Sequence, residues 1–144
     1  MIICDTSGLI AANGHQSSRD GRVLQVLEAE ARSLVLSPFV LAELDYLMAS
    51  RSGVAAGLTM LEDVANGIYR VAEVAQRDVA QAAEVVTRYK DLNIGLADAS
   101  IVVLAARYNT TRVLTFDQRH FRVMKPLHAA SFTLLPADAD GSPG

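Results

Sequence analysis

A chain of 144 residues, 51% of them hydrophobic, is long enough for one domain with a continuous core and too short to expect a second. Its single cysteine, Cys4, excludes an internal disulfide and a thiolate metal cluster, and a reducing cytoplasm is the simplest setting. A formal charge of −3 argues, taken alone, against a phosphate backbone as partner, and no run approaches the about 20 apolar residues of a membrane span. The amino-terminal apolar run lacks a basic segment and stops at Asp5, so it does not read as a secretory signal.

Met1-Ile2-Ile3-Cys4 reads as a short buried strand that ends at Asp5, and Thr6-Ser7-Gly8 suits a turn into a helix. Within such a strand Cys4 serves packing rather than chemistry. Ser18 or Asp20 is placed to cap a helix through about Ala31, and Leu34 to Leu36 form a second strand. Ser37-Pro38 opens another helix, since proline suits the first turn and serine accepts a bond from a free backbone amide. In that helix Glu43 lies within the almost wholly apolar stretch from Phe39 to Leu44, where an isolated buried carboxylate is costly without a partner.

Ile68 to Val71 read as a third strand. From Ala75 to Lys90, Val79, Ala82, Ala83, Val86 and Tyr89 fall at helical spacing on one apolar stripe. After Asp98, Ile101, Leu104, Ala105 and Tyr108 repeat that pattern. Val113 to Phe116 form a strand that again runs out at an aspartate, Asp117, and Phe132 to Leu135 form a short edge strand. The alternation of strands and helices predicts an α/β fold with a mainly parallel sheet, in one domain over residues 1–136. The tail, residues 137–144, has no apolar anchor and is expected to be disordered.

Asp5, Glu43, Asp98 and Asp117 carry the functional argument. Taken singly, Asp5 is also a helix cap, Asp98 complements a helix dipole and Asp117 suits a turn. Jointly, with two at strand ends where open α/β sheets bind ligands, they point to a pocket for magnesium, a hard cation that prefers oxygen ligands and keeps several waters. Without these four, 12 acidic residues remain against 13 basic ones, so the net acidity is largely the proposed site. Two bound magnesium ions would bring −3 to about +1. Arg119, His120, Arg122 and Lys125 follow Asp117, where they are placed to face substrate phosphates, although each is individually better explained as a solvated side chain. His15, His120 and His128 lack a paired ligand spacing and read as loop or surface residues.

The ordered set Asp5-Thr6-Ser7, Ser37-Pro38 with Glu43, Leu96-Ala97-Asp98-Ala99, and Leu114-Thr115-Phe116-Asp117 with Arg119-His120-Phe121 resembles the PIN-domain family in its VapC form, the toxin of a type II toxin–antitoxin pair. Each motif is weak, but their order and spacing cover the chain to about Pro136. The resemblance implies a three-layer α/β/α sandwich around a short parallel sheet. It also implies a metal-dependent endoribonuclease, usually homodimeric and held inactive by a cognate antitoxin. On it the acidic quartet falls on Asp5, Glu43, Asp98 and Asp117, with hydroxyl positions at Thr6 and Thr115. Asp5, Asp98 and Glu43 would bind magnesium, with manganese as a substitute, and Asp117 a second, weaker position. Water would attack phosphorus in line, leaving a 5′-phosphate and a 3′-hydroxyl.

Two alternatives stay open. A catalytically silent binding module would use the same acids to hold a basic side chain of a partner. An aspartate-based phosphotransfer domain fits less well, because Ser7 stands where a dehalogenase-like site wants a second aspartate and only Lys90 and Lys125 are available as the lysine. Leu41, Leu44, Leu47, Met48, Val54, Leu58 and Leu61 exceed what a thin sheet requires, and predict a homodimer or antitoxin surface on this helical region.

Overall fold

Short apolar runs build a sheet and longer amphipathic ones cover it. The computed structural model describes residues 1–13 and 21–139, so a cap at Ser18 or Asp20 lies outside the described residues. In chain order the elements are β1 (Ile2–Cys4), α1 (Thr6–Asn13), α2 (Gly21–Ala29), β2 (Leu34–Leu36), α3 (Pro38–Ser52), α4 (Val54–Ala65), β3 (Arg70–Val71), α5 (Gln76–Arg88), a 3₁₀ turn (Lys90–Leu92), α6 (Leu96–Arg107), β4 (Arg112–Leu114), α7 (Gln118–Val123) and β5 (Thr133–Leu135).

All pairings are parallel, in the order β3-β2-β1-β4-β5. Every residue of β1 and β2 is buried, the pattern of parallel strands covered on both faces. The chain winds outward from β1 to β3 and then returns to β4 and β5 on the other side of β1. Right-handed crossovers therefore put α1 to α4 on one face and α5 to α7 on the other, which is the expected three-layer sandwich. The winding reverses between β1 and β4, so the crevice beyond their carboxyl ends is the topological switch point.

Several expectations shift in detail. The third strand keeps only Arg70 and Val71, and Ile68, beside the turn at Gly67, is exposed. Helix α5 is rotated from its predicted stripe, burying Asp78, Ala82 and Val85 and leaving Val79 exposed. Asp78 takes the inward position because it accepts from the Ala75 amide and pairs with Arg107 of α6. Helix α6 buries every residue from Ala99 to Ala105 rather than one stripe, as a central helix does. Residue 138 supplies a polar anchor where no apolar one exists: buried Asp138 accepts from the Leu134 amide and from both terminal nitrogens of Arg122. Residues 140–144 lie outside the described residues.

The surplus of apolar residues on α3 and α4 also has a simpler cause, since these helices pack on each other and α3 packs on α1 and α6 as well. Leu44 and Met48 belong to the core, whereas Tyr46, Val54 and Leu58 are exposed. No described helix is long and apolar enough to cross a membrane.

Gly8 sets the closeness of α1 to β4. A Cβ there would lie 2.7 Å from the Leu114 carbonyl oxygen and 2.9 Å from its Cγ. Gly8→Ala would gain about 1 kcal/mol of helix propensity, but overpacking against backbone costs about 1–3 kcal/mol. The variant should therefore unfold at lower urea with an unchanged slope; an equal or higher midpoint would contradict this packing.

Candidate active site

Two strand tips supply the centre of the site. Asp5 is the first residue after β1, and its amide donates to the Leu114 carbonyl at 2.9 Å, which fastens the β1 exit to the end of β4. Its Oδ2 accepts from Thr115 Oγ1 at 2.7 Å and from Ser7 Oγ at 2.9 Å. Each hydroxyl has one proton, so the 3.1 Å approach between the two oxygens follows from sharing one acceptor. As acceptors, the same hydroxyls take the next two amides of the β4 exit, Phe116 N–H to Ser7 and Asp117 N–H to Thr115, both at 2.9 Å. One carboxylate thereby organises the loop that carries Asp117.

The other acids arrive on helices. Ser37 Oγ caps α3 by accepting from the Phe39 amide, and it meets Ser100 Oγ of α6 at 2.7 Å in a buried pair. Since Ser100 donates to the Ala97 carbonyl, the Ser37 proton closes the pair. This joint brings the starts of α3 and α6 together, and with them Glu43 and Asp98. Asp117 caps α7 through the His120 amide, and Phe121 and Phe132 fix that helix edge to face at 5.9 Å.

Asp5, Glu43, Asp98 and Asp117 all line one cavity of about 1220 Å³. Thr6 lines it as well, and its hydroxyl is buried with no hydrogen-bond partner among the described residues, an orphan oxygen suited to a ligand or water. Thr115, by contrast, is occupied with Asp5. Glu43 is exposed to the cavity rather than buried in an apolar helix. Glu43 therefore carries no cost of isolated burial, contrary to the expectation from its apolar neighbours, because Val40, Leu44 and Met48 turn to the core and leave the neighbouring row facing solvent.

Crowding and burial set the electrostatics. Burial pushes the Asp5 carboxyl above its ordinary value against the pull of its two hydroxyl donors. Asp98 is pushed up to about 6, first by burial and then by the Asp5 charge, with His120 opposing. The same burial drives the Cys4 thiol up to about 12, so it packs as an apolar group.

Two residues escaped the sequence reading. Ser7 looked like a turn residue and is a donor to Asp5. His120, expected at the surface, is largely buried with Nδ1 3.0 Å from Asp117 Oδ2 and 3.4 Å from Asp98 Oδ2, close enough for an ion pair when protonated but misaligned for a hydrogen bond. The expected basic cluster also disperses, since Arg122 is committed to Asp138. Asp117 and His120 stand three residues apart, an i,i+3 spacing that is the local signal for this pairing.

In kind the donors suit a hard divalent ion, being carboxylate oxygens around a roomy cavity. Among the described residues, however, no three or more carboxylate, imidazole or thiolate groups converge closely enough to hold an ion. An ion in this cavity would therefore reach some of these carboxylates through water, as magnesium does readily.

Comparison with known proteins agrees with this architecture. Residues 2–126 match the model of the PIN domain family. The chain is 43% identical over 135 residues to Ribonuclease VapC26 of Mycobacterium tuberculosis, covering 94% of this chain and 100% of that protein. Its fold matches VapC20 of Mycobacterium tuberculosis, described as a sarcin–ricin-loop-cleaving toxin, with a TM-score of 0.75 at 21% identity over 82% of this chain and 91% of that one. It also matches VapBC2 from Rickettsia felis, solved on a fragment of its promoter DNA, with a TM-score of 0.64 at 21% identity over 85% and 93% of the two chains. With its switch-point carboxylates, its parallel five-stranded sheet and these matches, the chain belongs to the PIN-domain family, in its VapC branch.

Proposed function

We propose that this chain is the toxin of a toxin–antitoxin pair and acts as a magnesium-dependent endoribonuclease, with residues 1–136 as the nuclease unit. The observation that carries the reading is the lining of one switch-point cavity by Asp5, Glu43, Asp98 and Asp117, in a chain 43% identical to a VapC ribonuclease. In this reading Asp5, Asp98 and Glu43 hold the ion directly or through water, and Asp117 forms a second, weaker position. A bound divalent ion would supply Lewis-acid stabilisation of the phosphate and a more acidic water nucleophile.

The chain's own residues do the positioning. Thr115 and Ser7 hold Asp5 in one rotamer as an acceptor, and the Thr6 hydroxyl is buried at the cavity wall with no partner among the described residues. His120 lies against both Asp98 and Asp117, where a protonated imidazole offsets their repulsion before the ion arrives. Manganese should replace magnesium, since both accept oxygen ligands in octahedral geometry.

A cognate antitoxin, a homodimer and a cytoplasmic location belong to the same proposal. Solved relatives include VapBC2 of Rickettsia felis, which supports the first. The exposed Tyr46, Val54 and Leu58 on α3 and α4 offer apolar area for either protein contact.

Antitoxin-free protein should cleave RNA with Mg2+ or Mn2+, stop in EDTA, and leave 5′-phosphate ends. Thr115→Val should lose about 10–100-fold in kcat through misplacement of Asp5, and Asp98→Asn more than that, both with unchanged circular dichroism. Folded wild-type protein that cleaves no RNA in any divalent ion would leave only the binding module.

The raised Asp98 value gives a second outcome. The folded state holds this proton up to about pH 6, whereas the ordinary value is 3.8, so metal-free stability falls as pH rises through that window. A divalent ion must displace the proton below pH 6, losing affinity by about tenfold per unit. Thermal denaturation should therefore show Mg2+ or Mn2+ raising Tm more above pH 6 than below it. A stabilisation independent of pH would exclude Asp98 from the ion.

A further inference from the structure

Helix α3 carries two parallel rows of side chains. Val40, Leu44 and Met48 turn into the core. Phe39, Glu43, Leu47 and Arg51, each four residues from the next, line the cavity. Eight residues separate Glu43 from Arg51, so this wall runs about 12 Å from a carboxylate to a guanidinium. Arg51 is exposed and makes no ion pair with a described residue.

The cavity is far larger than an ion requires. Six waters at about 30 Å³ each occupy about 180 Å³, against roughly 1220 Å³ here. Phe116 lines the same space with 41% of its surface exposed. Its backbone is held in place, because its amide is bound by Ser7 Oγ and it stands between Thr115 and Asp117, both fixed by hydrogen bonds.

We propose that this surplus space is a nucleobase subsite of a single-stranded RNA substrate: a base beside the scissile phosphate stacks on Phe116, and Arg51 takes a neighbouring phosphate. The proposal rests on the ribonuclease reading and extends it to substrate selection. Base stacking on an aromatic ring leaves the polar edges of the base in solvent, whereas a protein segment would have to satisfy its backbone amides and carbonyls. Between Glu43 and Arg51 the helix turns only Leu47 to the cavity, which offers no hydrogen bond. Paired RNA keeps its bases stacked on each other, so loops and single strands are the form this site can use.

The test is binding of short single-stranded RNAs carrying 2-aminopurine at successive positions, in Ca2+, to wild type, Phe116→Ala and Phe116→Tyr. One position should be quenched, Phe116→Ala should lose that quench and about tenfold in affinity, and Phe116→Tyr should keep both. An abasic nucleotide at that position should cost wild type the same factor and cost Phe116→Ala nothing more. Arg51→Ala should lower the salt dependence by about one phosphate contact. Absence of quench at every position, or losses from the abasic site and from Phe116→Ala that simply multiply, would overturn the subsite. So would a Phe116→Ala variant that binds RNA normally and fails only to bind a protein partner. RNA that is bound and quenched but never cut in any divalent ion would leave the subsite standing and remove the ribonuclease reading.

Discussion

The hydroxyl-clasped carboxylate of Asp5 is the constraint on which the rest of the site depends. Its amide reaches the end of β4, and its Oδ2 takes protons from Thr115 and Ser7, while those hydroxyls take the amides of Phe116 and Asp117. Removal of either hydroxyl would leave both a carboxylate with one fewer donor and a backbone amide without its acceptor. To the extent that such a group is buried, as at Asp117 more than at Phe116, it costs about 1–3 kcal/mol, roughly twice the net worth of an ordinary hydrogen bond that stays matched. The two strand tips are therefore held as one unit, and the loop that bears Phe116 and Asp117 inherits its position from residues more than a hundred places earlier.

Around that unit the fold gathers negative charge that it does not neutralise well. Asp98 sits at the start of α6, where the helix dipole favours an anion, yet burial and the Asp5 charge override that benefit and raise its carboxyl. Among the described residues His120 is the basic side chain that faces both Asp98 and Asp117, and it is poorly aligned for hydrogen bonding. Such crowding is consistent with the metal-dependent activity proposed for this site, since a bound divalent ion would relieve it. The cost is met by the apolar β1, β2 and α6, whose burial is nearly complete.

Legibility in the sequence followed the range of the interactions. Asp5 could be placed at a strand exit because Ile2-Ile3-Cys4 is a short apolar run that stops abruptly, as parallel strands buried on both faces do, whereas the strand expected to reach Phe116 ends at Leu114 and Asp117 caps α7 instead. Asp98 could be placed at a helix start by its neighbours. Glu43 was found for a reason that failed, since its row on α3 faces a cavity and not the core. Ser7 and His120 each pair with an acid close in sequence, Asp5 and Asp117, but the contacts that tie them into the site are distant: Ser7 to Thr115 spans 108 positions and His120 reaches Asp98 on α6. The rotation of α5 was hidden for a related reason, as an aspartate faces inward when a cap and an arginine from α6 satisfy it. The order of the motifs conveyed more than any one of them, and the three layers followed from that resemblance rather than from periodicity.

The most direct measurement is the anomalous diffraction of manganese-soaked crystals of the antitoxin-free protein. The account predicts a peak in the cavity, in ligating contact with Asp5 and Asp98, and with Asp98 drawn off His120. No peak there, with Asp98 and Asp117 still against the imidazole at saturating manganese, would contradict it.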